Sequence, residues 1–427
     1  MNPVQMIQSL FQNENLQKDS LLSLKQGQLL NGRIEKFLPN DMALIRMGDK
    51  RLVATLKADL SADESYWFEV RSVGKDGLEL KVIAGIQQTG SEELFLNSQQ
   101  LPDTKQNVQL IQFLLSKNLP VSKEQLQLAA SWINSRSDAT KELTALEWMI
   151  TKGLPFTKTT FQSLVAVQET QPLYQQLEEL RSQLDNPAFA SLKSIQPLKD
   201  MISSILQNHS IDDVKSTQEV KQLLKQLIQS LGLHYENEVG SKTGDKEASA
   251  ETLRSLKQLV LTSLTELGSN GKLLEPLLNR LTGLQLVSQD LSGPMQQIVM
   301  QLPFVFAEKK SDVTLQWSGR KISNGQIDPN YCRVLFYLDL KSLNHTVVDM
   351  QVQNKVIHLS ITNDSPEIEQ VVKSLTPTLK QKLVSIGYTL SFIQVSHPTL
   401  EKRKMKPQQI NPVDLSLGQN VRVDTKI

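Results

Sequence analysis

Residues 338–364, LDLKSLNHTVVDMQVQNKVIHLSITND, constrain the fold more than any other stretch of the chain. Apolar and polar side chains alternate, a short polar interruption follows, and the alternation resumes. Period two belongs to a strand, whose successive side chains point to opposite faces. A two-residue turn at Gln353-Asn354 sets Val352 against Lys355 and, by symmetry, Met350 against Ile357, Val348 against Leu359 and Thr346 against Ile361. The other face then pairs Asp349 with His358 and Val347 with Ser360. One face is apolar and the other mostly polar, and a slip of one residue would scramble both, so the hairpin is strongly specified. Asp349–His358 lacks a nucleophile and reads as a cross-strand polar pair, not as a catalytic dyad.

Helix signals follow the hairpin. Asp364 or Ser365 suits the cap, Pro366 the first helical position, and Gly387 the stop. Ile368, Val371, Val372, Leu375, Leu379, Leu383 and Ile386 form one stripe, which is expected to lie on the apolar face of the sheet. Pro377 interrupts the pattern and predicts a kink near Leu375, or two helices in sequence. YTLSFIQVS, 388–396, reads as a last strand. Residues 301–397 are therefore expected to form an α+β domain with a sheet packed against a long helix.

The remainder divides by period. Residues 1–23 read as a leader with a short amphipathic pattern (Val4, Met6, Ile7, Leu10, Phe11) or a frayed terminus. Residues 24–86 hold five short alternating runs separated by tight turns, the pattern of a small closed β-barrel, in which closure removes exposed edges. Its basic residues Arg33, Arg46, Arg51, Arg71 and Lys81 interleave with Glu35, Asp49, Asp59, Glu69 and Glu79, leaving no evident positive face. Tyr66, Trp67 and Phe68 are consecutive, so at least one points into the core. Helical spacing runs over 100–235 and 252–300, on either side of a polar linker at 236–251. Within it KNLPVSKEQL (117–126) recurs as KGLPFTKTTF (152–161). Ser122 and Thr157 are placed as N-caps, with Val121 and Phe156 able to staple onto Leu126 and Phe161, and Gln125 completes a capping box. Residues 398–427 read as a tail.

Composition narrows the chemistry. Of 427 residues, 46 are Lys or Arg and 45 are Asp or Glu, a net charge of +1, which argues against a nucleic-acid or anionic-membrane binder. Cys332 is the single cysteine, excluding an internal disulfide and a cysteine metal site. The five histidines, His209, His234, His345, His358 and His397, show no metal-ligand spacing. GSKTGDK in the linker lacks the spacing and preceding strand of a phosphate loop. No run reaches the roughly 18 apolar residues of a membrane helix, and no secretory signal pattern opens the chain. The expectation is a non-enzymatic protein with no cofactor and no metal.

The segments DLKSLNHTVVDMQV, NKVIHLSITND, LKQKLVSIGY and LSFIQV, in that order and spacing, resemble the C-terminal domain of the flagellar hook-length control protein family. LIQSLGLHYE (227–236) and QQIVMQLPF (296–304) resemble segments of its Gram-positive members. The resemblance implies a role in flagellar-type export: contact with the cytoplasmic domain of the export-gate switch protein, changing which substrates are exported. It implies a protein that is cytoplasmic, or exported through a flagellar-type apparatus without a cleaved signal. Contact is expected around Leu343, Asn344 and His345, and at the basic run Lys402, Arg403 and Lys404. The chain departs from the family in two places. The Gly of the family's Leu-Gly step is Asn344, which tolerates a left-handed backbone. The middle is amphipathic helix in place of a low-complexity ruler, as in a paralogue that keeps the switch-binding domain alone. The alternative is a cytoplasmic adaptor whose β-barrel binds protein or nucleic acid.

Overall fold

The computed structural model describes residues 24–397, apart from 49, 59, 75–76, 86–90, 134–138, 190, 208–215, 234–254, 289–294, 307–308 and 323–325. The expected leader, the linker at 236–251 and the tail at 398–427 lie outside the described residues. The rest is a multidomain α+β protein: a closed five-stranded barrel, a helical middle, and a C-terminal sheet carrying one helix.

The barrel strands are β1 (Gln28–Leu38), β2 (Met42–Met47), β3 (Lys50–Leu56), β4 (Ser65–Gly74) and β5 (Gly77–Gly85). Their order is β2-β3-β5-β4-β1, closed by pairing of β1 with β2, and only β3–β5 is parallel. Alternation decides where the three consecutive aromatics go. Tyr66 and Phe68 enter the barrel core beside Leu30, Ile34 and Ile45. Trp67 points outward, yet it is buried too, because it stacks on Phe95 of the helical region with ring centroids 4.3 Å apart.

Ten helices follow among the described residues: α1 (Ser91–Ser98), α2 (Lys105–Ser116), α3 (Lys123–Trp132), α4 (Thr140–Thr151), α5 (Lys158–Ala166), α6 (Leu173–Gln183), α7 (Ile195–Gln207), α8 (Thr217–Leu231), α9 (Leu256–Leu267) and α10 (Glu275–Val287). Helix thus begins earlier than the expected residue 100. Both repeated start devices are in place. Ser122 Oγ accepts from Gln125 N at 3.1 Å while Gln125 Oε1 accepts from Ser122 N at 2.9 Å, a complete capping box. Thr157 Oγ1 accepts from Thr160 N at 3.2 Å. The first device also joins two regions: Val121–Ser122 is a short strand, β6, paired with Gln28–Leu29 of β1. In the second, Phe156 and Phe161 both lie against the Trp132 ring, at 5.2 and 5.3 Å.

The C-terminal sheet has six strands, β7 (Met295–Phe306), β8 (Lys309–Lys321), β9 (Ile327–Leu340), β10 (Asn344–Gln353), β11 (Val356–Thr362) and β12 (Thr389–Ser396), in sequential order. All neighbours are antiparallel except β11–β12, which are joined in parallel through α11 (Ile368–Ser385). The helix expected to reach residue 300 is corrected here. Ile298, Met300, Leu302 and Phe304 alternate, and the segment pairs with β8 from Met295 onward.

The hairpin keeps its predicted faces but not its predicted register. Its turn is Asn354-Lys355, with φ of 48° and 65°, so Val352 meets Ile357, Met350 meets Leu359 and Val348 meets Ile361. A turn with positive φ at both central residues matches the strand twist, and Asn is favoured in it. Moving the turn by one residue moves every partner by two, so the parity of the faces survives. Asp349 consequently faces Ser360 and His358 faces Gln351; the expected Asp349–His358 pair does not form.

The helix stripe is corrected in part. Ile368 is buried, and Leu379 and Leu383 are half-buried against Val352, Ile357, Leu359 and Leu390. Leu375 and Ile386 stay exposed. The helix runs through Pro377 without dividing and starts two residues after Pro366, with no side-chain cap on its N-cap residue Glu367. Its stop is as expected: Gly387 has φ of 84°, and Tyr388 N donates back to the Leu383 carbonyl at 2.9 Å.

Candidate interaction surface

The β9–β10 turn, the entry to α11 and the exit from β12 converge at one end of the C-terminal sheet, around Asn363. This side chain is 1% exposed, so each polar atom needs a partner. Its Nδ2 donates to the Leu343 carbonyl at 2.6 Å, to Thr346 Oγ1 at 2.7 Å and to the His345 carbonyl at 3.2 Å. Its Oδ1 accepts from Ser365 N at 2.7 Å, in the turn that leads into α11. Its backbone N donates to the Ser396 carbonyl at 3.1 Å, and its carbonyl lies 2.9 Å from His397 Nδ1, at the end of β12. That contact requires the Nδ1–H form of His397, which turns Nε2 toward Glu369 Oε1 at 3.9 Å.

This network fixes the backbone of the turn while leaving its side chains accessible. Asn344 takes φ of 52°, the left-handed conformation that Asn tolerates, and opens β10. His345 is exposed, with Nδ1 3.6 Å from Asp339 Oδ1 on the neighbouring strand. Leu343 is half-buried. The structure thus brings Leu343, Asn344 and His345 together at one surface turn, whereas Lys402, Arg403 and Lys404 lie outside the described residues. Asn363 had no part in the sequence reading. Its signal was the Asn-Asp-Ser-Pro run, in which an Asn side chain folds back on the backbone two residues on.

On the polar face of β9–β11, Asp349 accepts from Arg333 Nε at 2.9 Å and Nη2 at 2.8 Å, a bidentate pair. The carboxylate, with burial opposing it, holds the Arg333 guanidinium above its ordinary range. His358 packs on Phe392 with ring centroids 4.9 Å apart. Farther along the same face Tyr337 is buried, which pushes its phenol up to about 12. Cys332 is half-buried on the opposite face, and burial raises its thiol. No group of three potential metal ligands comes together among the described residues. Nor is any described helix long and apolar enough to cross a membrane.

The barrel's arginines are engaged locally. Glu35 takes Arg51 at 2.7 Å and Arg46 at 3.6 Å, Asp63 takes Arg33 at 3.2 Å, and Glu69 takes Arg71 at 3.6 Å. Trp67 is covered as well, so of these groups the arginines are paired and the tryptophan is not free to stack; Phe37 is the exposed aromatic among the described barrel residues.

The fold places the chain among multidomain α+β proteins with a terminal sheet-and-helix module. Over 162 residues it is 34% identical to a protein of Bacillus subtilis (strain 168) described as the uncharacterized protein YlqG; the match takes in 36% of this chain and 28% of that protein. The chain thus spans less than a third of that relative's length. No family model matches the chain, and no solved structure matches it.

Proposed function

We propose that this is a non-enzymatic protein of flagellar-type export whose C-terminal domain binds the cytoplasmic domain of an export-gate switch protein and alters which substrates are exported. The observation that carries the reading is the β9–β10–β11–α11–β12 unit, with Asn344 left-handed where the hook-length control family has its Gly. A turn locked from behind by Asn363 and open in front costs little entropy to dock, which is what a recognition element requires. The adaptor reading at the barrel has less behind it, since Arg33, Arg46 and Arg51 are paired and Trp67 is buried.

Calorimetric titration of the full chain against the purified switch domain tests the proposal. Binding at tens of micromolar or tighter is expected. Affinity changes little between about 50 and about 300 mM salt unless Lys402, Arg403 and Lys404 take part, because a near-neutral chain has little long-range steering to screen. His345→Asp weakens binding, while the fold, read by circular dichroism, is unchanged. No binding in that range removes the export reading.

A further inference from the structure

The two edges of the C-terminal sheet are finished differently. At β7 the edge is sealed: Ser288, which follows α10, donates through Oγ to the Val299 carbonyl at 3.0 Å and accepts from Val299 N at 2.8 Å. Pro303 removes a further donor from that strand. At β12 the strand pairs with β11 alone among the described residues, and TLSFIQVS contains no charge and no proline. Natural edges are normally blunted by such residues, so an uncharged edge left without a second strand among the described residues is a template for another strand. On the strand Phe392 is 52% exposed, and α11, which packs on the same pair of strands, leaves Leu375, Val384 and Ile386 exposed as well.

The charge around this edge selects its occupant. Together α11 and β12 carry Lys373, Lys380 and Lys382 against one acidic residue, Glu369, which sits beside His397 just past the end of β12, so this edge is net basic although the protein as a whole is nearly neutral. All three lysines are exposed. A second copy of the chain would bring the same lysines against them. Residues 398–427 are no better suited, because their basic residues outnumber their acidic ones. A bilayer has nothing to pair with a strand's free N–H and C=O groups.

We propose that β12 is a docking edge for an extended segment of another protein in which acidic and apolar side chains alternate. Backbone pairing supplies the affinity, and the lysines of α11 with Phe392 supply the selection. The far end of β12 meets the β9–β10 turn at Asn363, but the inference stands without the export reading.

Hydrogen exchange of the full chain, read by mass spectrometry over 389–396, tests it. The probes are a synthetic peptide of about ten residues alternating valine and glutamate, long enough to cover one strand, and its valine–lysine counterpart. The acidic peptide is expected to slow exchange in β12 by about tenfold or more, the span between an open and a paired strand. The basic peptide should have no effect, and Lys373→Glu with Lys380→Glu and Lys382→Glu should abolish or reverse the preference. Equal protection by both peptides, or none by either, overturns the proposal. So does protection already present in the free chain, at all concentrations (its own segment) or only at high concentration (a second copy). Protection by phosphatidylserine vesicles but not by peptide overturns it as well.

Discussion

Helices cover both sides of the C-terminal sheet, and the two coverings differ in depth. At β7 and β8 the strands sink Leu302, Phe304 and Val313 into a continuous apolar cluster with α6, α7, α9 and α10. A buried polar network crosses the same boundary. Arg280 of α10 donates to Gln301 of β7 at 3.0 Å, to the Gln171 carbonyl at 2.6 Å and to Gln176 at 3.3 Å. Asp312 of β8 accepts from the backbone N–H groups of Leu173 and Tyr174, so a strand residue caps α6. Burial pushes the Asp312 carboxyl up and the Arg280 guanidinium down, while each one's charge favours the ionised form of the other. At β10–β12, apart from Val347, which packs on the cluster of α10 and β7, the cover is α11, with one fully buried residue, Ile368, and one bidentate ion pair that solvent reaches. The first arrangement makes the sheet part of the helical body. The second leaves a helix and an edge able to meet something else.

Removing the cap should break the deep side. Asp312→Ala strips two buried N–H groups of their acceptor and removes one of the two carboxylates, with that of Glu169, that favour the Arg280 charge. A loss of about 2–5 kcal/mol is expected, because each buried donor left without an acceptor costs about 1–3 kcal/mol. Urea unfolding followed by tryptophan fluorescence measures it; a loss below about 1 kcal/mol would show that water reaches the network.

The same truncation on each side sharpens the contrast. Leu302→Ala should cost about 2–5 kcal/mol as a fully enclosed leucine, against about 1 kcal/mol for Leu379→Ala, which is half-buried. Equal urea midpoints for the two variants would show that α11 is as firmly packed as α6.

Tyr337 of β9, buried in the cluster that holds Val299 of β7 and Leu284 and Val287 of α10, gives the sheet between the two sides a pH signature. Its folded pKa, about 12, stands above the ordinary 10, so the folded state holds the phenolic proton more tightly than the unfolded state. The stabilisation is whole below pH 10 and is lost as pH rises toward 12. Wild type should therefore lose about 2 kcal/mol more than Tyr337→Phe over that interval. Unfolding midpoints of both proteins at pH 9 and near 11.5 test the sign; parallel curves would place the phenol in water.

The smallest effect belongs to the thin side. His358→Ala removes a ring contact with Phe392 and no ion pair, and should cost less than about 1 kcal/mol by the same urea assay. A larger loss would mean that the open face of β11 is covered.

Local signals carried the readable part of the fold. The caps at Ser122 and Thr157 and the Gly387 stop each depend on residues within a few positions of one another, and each is in place. The hairpin faces were legible because parity survives a shift of two, but its register turned on whether Gln353 or Lys355 accepts positive φ, which alternation cannot decide. β7 was read as helix as far as Met300 because short apolar runs such as QQIVM satisfy both periods. The burial of Trp67, the bond of Arg280 to Gln301 and the capping of α6 by Asp312 bring together residues at least 21 positions apart, and no local pattern encodes them. At the candidate surface Leu343, Asn344 and His345 were named from the family resemblance of their segment, whereas Asn363, which fixes the backbone of that turn, was not named.

The Asp312 cap also bears on how the chain is made. Pro172 offers α6 no side-chain acceptor of its own, and the carboxylate that satisfies its first turn lies 139 residues downstream of Leu173. On a ribosome, that helix emerges well before its cap has been translated. Its first turn stays open to water until β8 arrives, so the helical middle should reach its final stability only after most of the C-terminal sheet has emerged. A nascent chain stalled before residue 312 should be cut by protease near Pro172, and one stalled beyond the sheet should resist.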